Sequence, residues 1–183
     1  MPSMRINDMK TSAQKFRDLL AKGGLIVAPG VYDGYSARLV EGAGFEMAAT
    51  TGVGISNSLL GIDDIGVMGL SENVNHCRML ARTLSIPLTA DADTGYGNPM
   101  NVYHTVQMFE EAGVAGVNIE DQVHPKRCGH MPGKEVIPLV GRGATRILSQ
   151  SYDHGRRLDP PYAPPCRGAL NRRCRISPPA SRW

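Results

Sequence analysis

Short apolar runs alternate with stretches of helical period through residue 119 of this sequence. Thr11 to Lys22 carries an i, i+3, i+4 stripe of Phe16, Leu19 and Leu20 and stops at Gly23-Gly24. Leu25-Ile26-Val27-Ala28 reads as a buried strand, Pro29 to Asp33 as the turn after it, and a second helix runs to about Glu41. Phe45 to Thr50 is expected as the second strand. Thr51 to Leu70, with Gly52, Gly54, Gly61, Gly66 and Gly69, is expected as a long loop. Ser71 caps the next helix, which buries Val74, Cys77, Ala81 and Leu84. Ile86 to Ala90 reads as the third strand. Asn98-Pro99 opens a helix with the stripe Val102, Thr105, Val106 and Phe109, and Val114 to Ile119 is the fourth strand. This order implies a parallel sheet with right-handed crossovers. A closed (β/α)8 barrel needs eight strands, and four are counted here.

Polar and glycine-rich groups collect after the strands: Tyr32-Asp33, Thr50-Thr51-Gly52, Asp91-Ala92-Asp93-Thr94-Gly95-Tyr96-Gly97 and Glu120-Asp121. Loops at the carboxyl ends of parallel strands are where such folds bind ligands. The strand period of two is expected to place Asp91 and Asp93 on one face, with Ala92 pointing away. Two adjacent carboxylates repel, and a hard divalent cation such as Mg²⁺ relieves the repulsion with oxygen ligands. A plain acidic turn at a strand end has the same residue types.

A second cluster is Lys126-Arg127-Cys128-Gly129-His130. Cations beside a thiol stabilise its thiolate and suit it to proton transfer. An exposed basic loop with an incidental cysteine also fits the string. A zinc set of His124, Cys128 and His130 lacks a fourth ligand and the usual spacings.

Together these stretches resemble the isocitrate lyase/phosphoenolpyruvate mutase superfamily, over about residues 12–138. The pieces that carry the resemblance are Pro29 to Ala37, Leu60-Gly61-Ile62-Asp63-Asp64-Ile65-Gly66, Asp91 to Gly97, and Glu120-Asp121-Gln122 with Lys126 to His130. The resemblance implies an α/β fold, the N-terminal half of a TIM-type (β/α)8 barrel. It implies Mg²⁺, with Mn²⁺ as the alternative, held near Asp91 and Asp93 with Glu120 close by. Asp64 matches a residue near metal and substrate, and Thr51-Gly52 a substrate-carboxylate loop. Cys128 matches the catalytic cysteine of the lyases, with Lys126 and His130 beside it. Tyr32, Arg127 and Gly129 complete the implied substrate contacts. The implied reaction is carbon–carbon cleavage of a 2-hydroxy di- or tricarboxylate to a 2-oxo acid and a carboxylate. An oxaloacetate decarboxylase or hydrolase, a phosphonomutase, and a non-catalytic remnant that binds carboxylates or a full-length subunit stay open as alternatives. The complete family enzymes are implied to be homo-oligomers.

The overall charge of +3 hides a split: residues 1–140 sum to −4 and residues 141–183 to +7. The later segment has no sustained apolar period, carries Pro160-Pro161, Pro164-Pro165 and Pro178-Pro179, and contains Arg172-Arg173-Cys174-Arg175. It is expected to be disordered, and its change of character suggests a frameshifted or mispredicted reading frame. Two units are therefore expected, a partial barrel at 1–140 and a tail at 141–183. No aromatic interleaving accompanies the arginines, so nucleic-acid binding is not expected. No membrane partner is expected either: no apolar run is long enough to span a bilayer, and the N-terminus is no signal peptide. With four cysteines in no framework spacing, a cytoplasmic protein is expected.

Overall fold

The structure is a computed structural model that describes residues 10–138. The expected tail at 141–183 lies outside the described residues. Nine elements follow one another: α1 (Ser12–Lys22), β1 (Gly30–Val31), α2 (Gly34–Gly42), β2 (Ala48–Thr50), α3 (Gly52–Leu60), α4 (Leu70–Thr83), β3 (Leu88–Asp91), α5 (Pro99–Glu111) and β4 (Gly116–Asn118). The four strands form one parallel sheet in the order β1-β2-β3-β4. Gly30 stands opposite Ala49, Ala48 opposite Leu88, and Asp91 opposite Asn118.

The helices start where the sequence supplies caps. Thr11 and Gln14 form a capping box on α1, Asp33 and Ser36 one on α2, and Asn98 and Asn101 one on α5, with Pro99 at the first helical position. Val31, Ala48, Leu88 and Ala90 of the sheet pack against Ala37, Val74, Cys77, Leu80 and Phe109 of the helices. That core sits on β2 and β3, and the carboxyl ends of all four strands face the same way.

Three expectations change. Leu25 to Ala28 forms no strand; β1 begins at Gly30, and Leu25 is 91% exposed. An apolar run becomes a strand only when a neighbour pairs with it, and β1 lies at the sheet edge. The presumed loop from Thr51 to Leu70 contains α3, capped by the Thr51 hydroxyl and closed by Gly61 at φ 69°. The helix after it begins at Leu70 behind Gly69, not behind Ser71.

Candidate active site

β3 ends at Asp91, and the chain turns there. Asp93 has φ 47°, Tyr96 φ 61° and Gly95 φ 90°. Asp93 therefore lies past the strand, and strand alternation does not place it beside Asp91. The turn does: the Asp93 N–H donates to Asp91 Oδ1 at 3.0 Å. A side chain on Gly95 would strike Val102 Cγ2 at 2.5 Å, so the turn presses onto α5 at a position only glycine fills.

The two acids belong to a larger cluster. Lys126 Nζ lies 2.7 Å from Asp64 Oδ1 and also pairs with Asp93 Oδ1. Lys126 is 2% exposed and both acids are buried. Burial works against the Lys126 ammonium, but the bonds to Asp64 and Asp93 outweigh it and hold the lysine above its ordinary value. Burial pushes the Asp93 carboxyl up, against the pull of Lys126. Asp91 and Asp64 also converge on the N-terminus of α3: a β-carbon on Gly52 would lie 2.7 Å from Asp91 Oδ2 and 3.2 Å from Asp64 Oδ2. Among the described residues no cation forms an ion pair with Asp91.

The loop after β4 closes the cluster. The Glu120 N–H donates to the Asp93 carbonyl at 2.7 Å. Burial raises the Glu120 carboxyl; the Lys126 charge opposes this and the Asp91 charge adds to it. Cys128 is buried, with Sγ 3.6 Å from His130 Nδ1. The Arg127 guanidinium is exposed and donates to the Pro132 carbonyl at 3.3 Å. Gly129 and His130 are exposed in the same loop. Tyr32 sits over the start of α3, where a β-carbon on Gly54 would meet Tyr32 Cβ at 2.8 Å.

Asp91, Asp93 and Glu120 do not form a three-ligand metal cage. Among the described residues no three His, Cys, Asp or Glu side chains are gathered for one, and the zinc set of His124, Cys128 and His130 fails the same test. Mg²⁺ asks for less, since one or two carboxylates suffice when water and substrate complete its shell. The oxygen donors fit that requirement, with Asp91 lacking a cation and Glu120 raised partly by the Asp91 charge.

Asn73 escaped the sequence, and Thr50 and Gln122 were singled out there without a role. Asn73 of α4, fully buried, donates to the Asp91 carbonyl at 2.8 Å and to the Tyr96 hydroxyl at 2.7 Å. Its Oδ1 accepts from the Cys77 thiol at 3.3 Å. Thr50 Oγ1 accepts the Asp91 N–H at 2.8 Å, and the Gln122 amide bonds to Glu120 and Arg127. Burial pushes the Cys77 thiol up to about 12, with the Asp91 charge adding, which leaves Cys77 an inert packing group. A polar residue on the apolar face of α4 was the available signal for Asn73.

The structure is an α/β domain assembled from βα units, and its acid cluster lies beyond the carboxyl ends of the parallel sheet, where folds of this class bind ligands. The chain belongs to the phosphoenolpyruvate phosphomutase family, within the isocitrate lyase/PEP mutase superfamily, and the family model matches residues 16–146. The match continues past residue 138, where the resemblance was expected to end, into residues outside the described range. The 2,3-dimethylmalate lyase of Eubacterium barkeri is 43% identical over 134 residues, 72% of this chain and 46% of the relative. A solved oxaloacetate acetylhydrolase bound to the inhibitor 3,3-difluorooxalacetate superposes with a TM-score of 0.74 at 40% identity, covering 77% of this chain and 48% of that one. A phosphonopyruvate hydrolase solved with oxalate and Mg²⁺ gives 0.70 at 30% identity, covering 78% and 48%. The chain spans about half the length of the curated relatives it matches. Among the described residues no helix is long and apolar enough to cross a membrane.

Proposed function

We propose that this chain carries the N-terminal half of a (β/α)8 barrel, and with it the metal and thiol loops of a Mg²⁺-dependent carbon–carbon lyase. Its substrate is a 2-hydroxy di- or tricarboxylate of the dimethylmalate or methylisocitrate type, and one product is a 2-oxo acid. The observation that carries the reading is Asp91, a carboxylate without a described cation partner, beside Asp64, Asp93 and Lys126 at the start of α3. The parallel order β1-β2-β3-β4 and the half-length match to barrel-sized relatives support the half-barrel. The complete protein assembles as a homo-oligomer in this reading.

Asp91 and Glu120 are the residues that would hold Mg²⁺, with Asp93 in the same cluster. Bound there, the ion would draw charge from the hydroxyl and carboxylate oxygens of the substrate. Lys126 keeps Asp64 and Asp93 in register and offsets part of their negative charge beside the substrate. The first N–H groups of a helix have no partner within it, so those at the start of α3, at Gly52, suit a substrate carboxylate; the exposed Gly129 and His130 backbone is assigned to a second carboxylate. Transfer of the hydroxyl proton to a base, the role open to Tyr32, lets that oxygen become the carbonyl of the 2-oxo acid as the carbon–carbon bond breaks, and the bond's electron pair leaves on the carbon stabilised by the second carboxylate. Cys128 gives that carbon its thiol proton, and the resulting thiolate lies beside His130. Tyr32 and Arg127 flank the substrate.

The test is product analysis on the 183-residue chain with dimethylmalate, methylisocitrate and oxaloacetate, with and without Mg²⁺. In a complete barrel that carries these residues, Cys128→Ser should lose most turnover and keep its Mg²⁺ titration; Asp91→Ala should lose both. Near-normal turnover in Cys128→Ser removes the thiol from the mechanism. Similarity to the acetylhydrolase favours a second reading, hydrolysis of oxaloacetate, which the same panel reports as oxalate and acetate.

A further inference from the structure

The side chain of Gln122 joins the acid cluster to the thiol loop. Its Nε2 donates to Glu120 Oε2 at 2.5 Å and to the Arg127 carbonyl at 2.9 Å. Its Oε1 accepts the Arg127 N–H at 3.1 Å. The orientation of the amide is forced, because the Arg127 N–H must meet an oxygen. Both amide hydrogens of one side chain are thus committed. Gln122 is itself fixed from behind. It bridges Val136, while the Val123 N–H donates to the Glu135 carbonyl at 2.8 Å and the Ile137 N–H to the Asp121 carbonyl at 2.9 Å. Arg127 stands between Lys126, which grips Asp64 and Asp93, and Cys128.

We infer that Gln122 is a positioning residue: by bonding Glu120 on one side and the Arg127 backbone on the other, it sets the height of Lys126 and Cys128 over the acid cluster. The inference rests on reading Glu120 and Cys128 as site residues, but its test needs no substrate. With Gln122 in place, Cys128 is 9% exposed, so its alkylation should be slow and limited by opening of the loop. Gln122→Leu keeps most of the volume and removes the three bonds. Gln122→Glu keeps length and shape, loses both donors at neutral pH and sets a second negative charge against Glu120.

The experiment is N-ethylmaleimide labelling of the full chain, read cysteine by cysteine by peptide mapping. Both variants should label Cys128 about tenfold faster than wild type, the scale expected for a few lost hydrogen bonds. Cys77, buried in the core, should stay unlabelled and so reports that the fold is intact. A residue that only fills space would leave Gln122→Leu at the wild-type rate, and that result overturns the proposal. If Gln122→Leu exposes Cys77, the chain has unfolded and Gln122→Glu decides: faster labelling at Cys128 alone supports the positioning role, and an unchanged rate overturns it. Failure of the lyase assay with fast labelling in the variants would sink the reaction and leave the positioning intact.

Discussion

A β-carbon on Gly52 would stand 2.7 Å from Asp91 Oδ2, inside any real contact distance for two such atoms. Gly52→Ala must therefore push Asp91 aside or shift the start of α3. Overpacking of this kind costs about 1–3 kcal/mol. If Asp91 holds Mg²⁺, its displacement should also weaken Mg²⁺ by roughly 10- to 100-fold, as loss of a supporting contact does at other metal sites. Calorimetric titration checks this, and wild-type affinity in Gly52→Ala would separate Asp91 from the metal. Lys126→Met asks the opposite question, what happens when a buried charge loses its partner. Asp64 and Asp93 would share a buried site without a cation, a loss of about 3–5 kcal/mol by urea unfolding near neutral pH. Asp93 is already pushed up by burial and would rise further without the ammonium. An acid with a raised folded pKa binds more protons folded than unfolded. Its cost is full above the folded value and gone below the unfolded value of about 3.9. The gap between Lys126→Met and wild type should therefore narrow as the solution is acidified, and a gap constant with pH would count against Asp93 as the stranded charge.

At the level of elements, helical stripes were legible, while one of two caps and the packing glycines were not. Asn98-Pro99 announced the start of α5, whose stripe is buried as its spacing requires, whereas Ser71, read as a cap, lies inside α4. Gly52 and Gly54 looked like loop markers, yet they lie inside α3 because Asp91, Tyr32 and Thr51 leave no room for a β-carbon. No periodicity encodes a contact between residues forty positions apart, so α3 was hidden. The same holds for Asp93, whose turn came from a left-handed backbone that the strand pattern does not report. The cap on α2 supports a pH prediction. The Ser36 N–H, 2.7 Å from Asp33 Oδ1, holds the Asp33 carboxyl below the usual carboxylate range. A lowered folded pKa gives stability that is present above the unfolded value and lost as pH falls through the folded one. Asp33→Ala should be less stable than wild type at neutral pH, and the two urea midpoints should converge in strong acid. Parallel curves would mean that the cap works through shape and not charge.

Among the described residues, the sheet has two ends: β1 and β4 each pair with one described neighbour, and parallel strands are stable when covered on both faces. Ahead of β1, Leu25 and Val27 stand in solvent; on the far side Val117 and Ile119 are only partly buried. Sequence alone marked Leu25 to Ala28 as buried because it assigns burial by residue type, whereas burial also requires a neighbour. Open strand edges flanked by apolar side chains template association between chains. The 183-residue chain should accordingly self-associate as concentration rises, measured by sedimentation velocity or light scattering. Leu25→Lys with Val27→Lys should reduce that association and leave thermal unfolding nearly unchanged, since substitution of exposed side chains shifts stability by about 0.5 kcal/mol or less. Adding a polypeptide that supplies strands to both edges should suppress association of the wild-type chain in the same assay and have less to suppress in the double variant. Equal association of wild type and double variant would move the sticky surface elsewhere, to the helix faces that carry Leu39 and Met100, both well exposed.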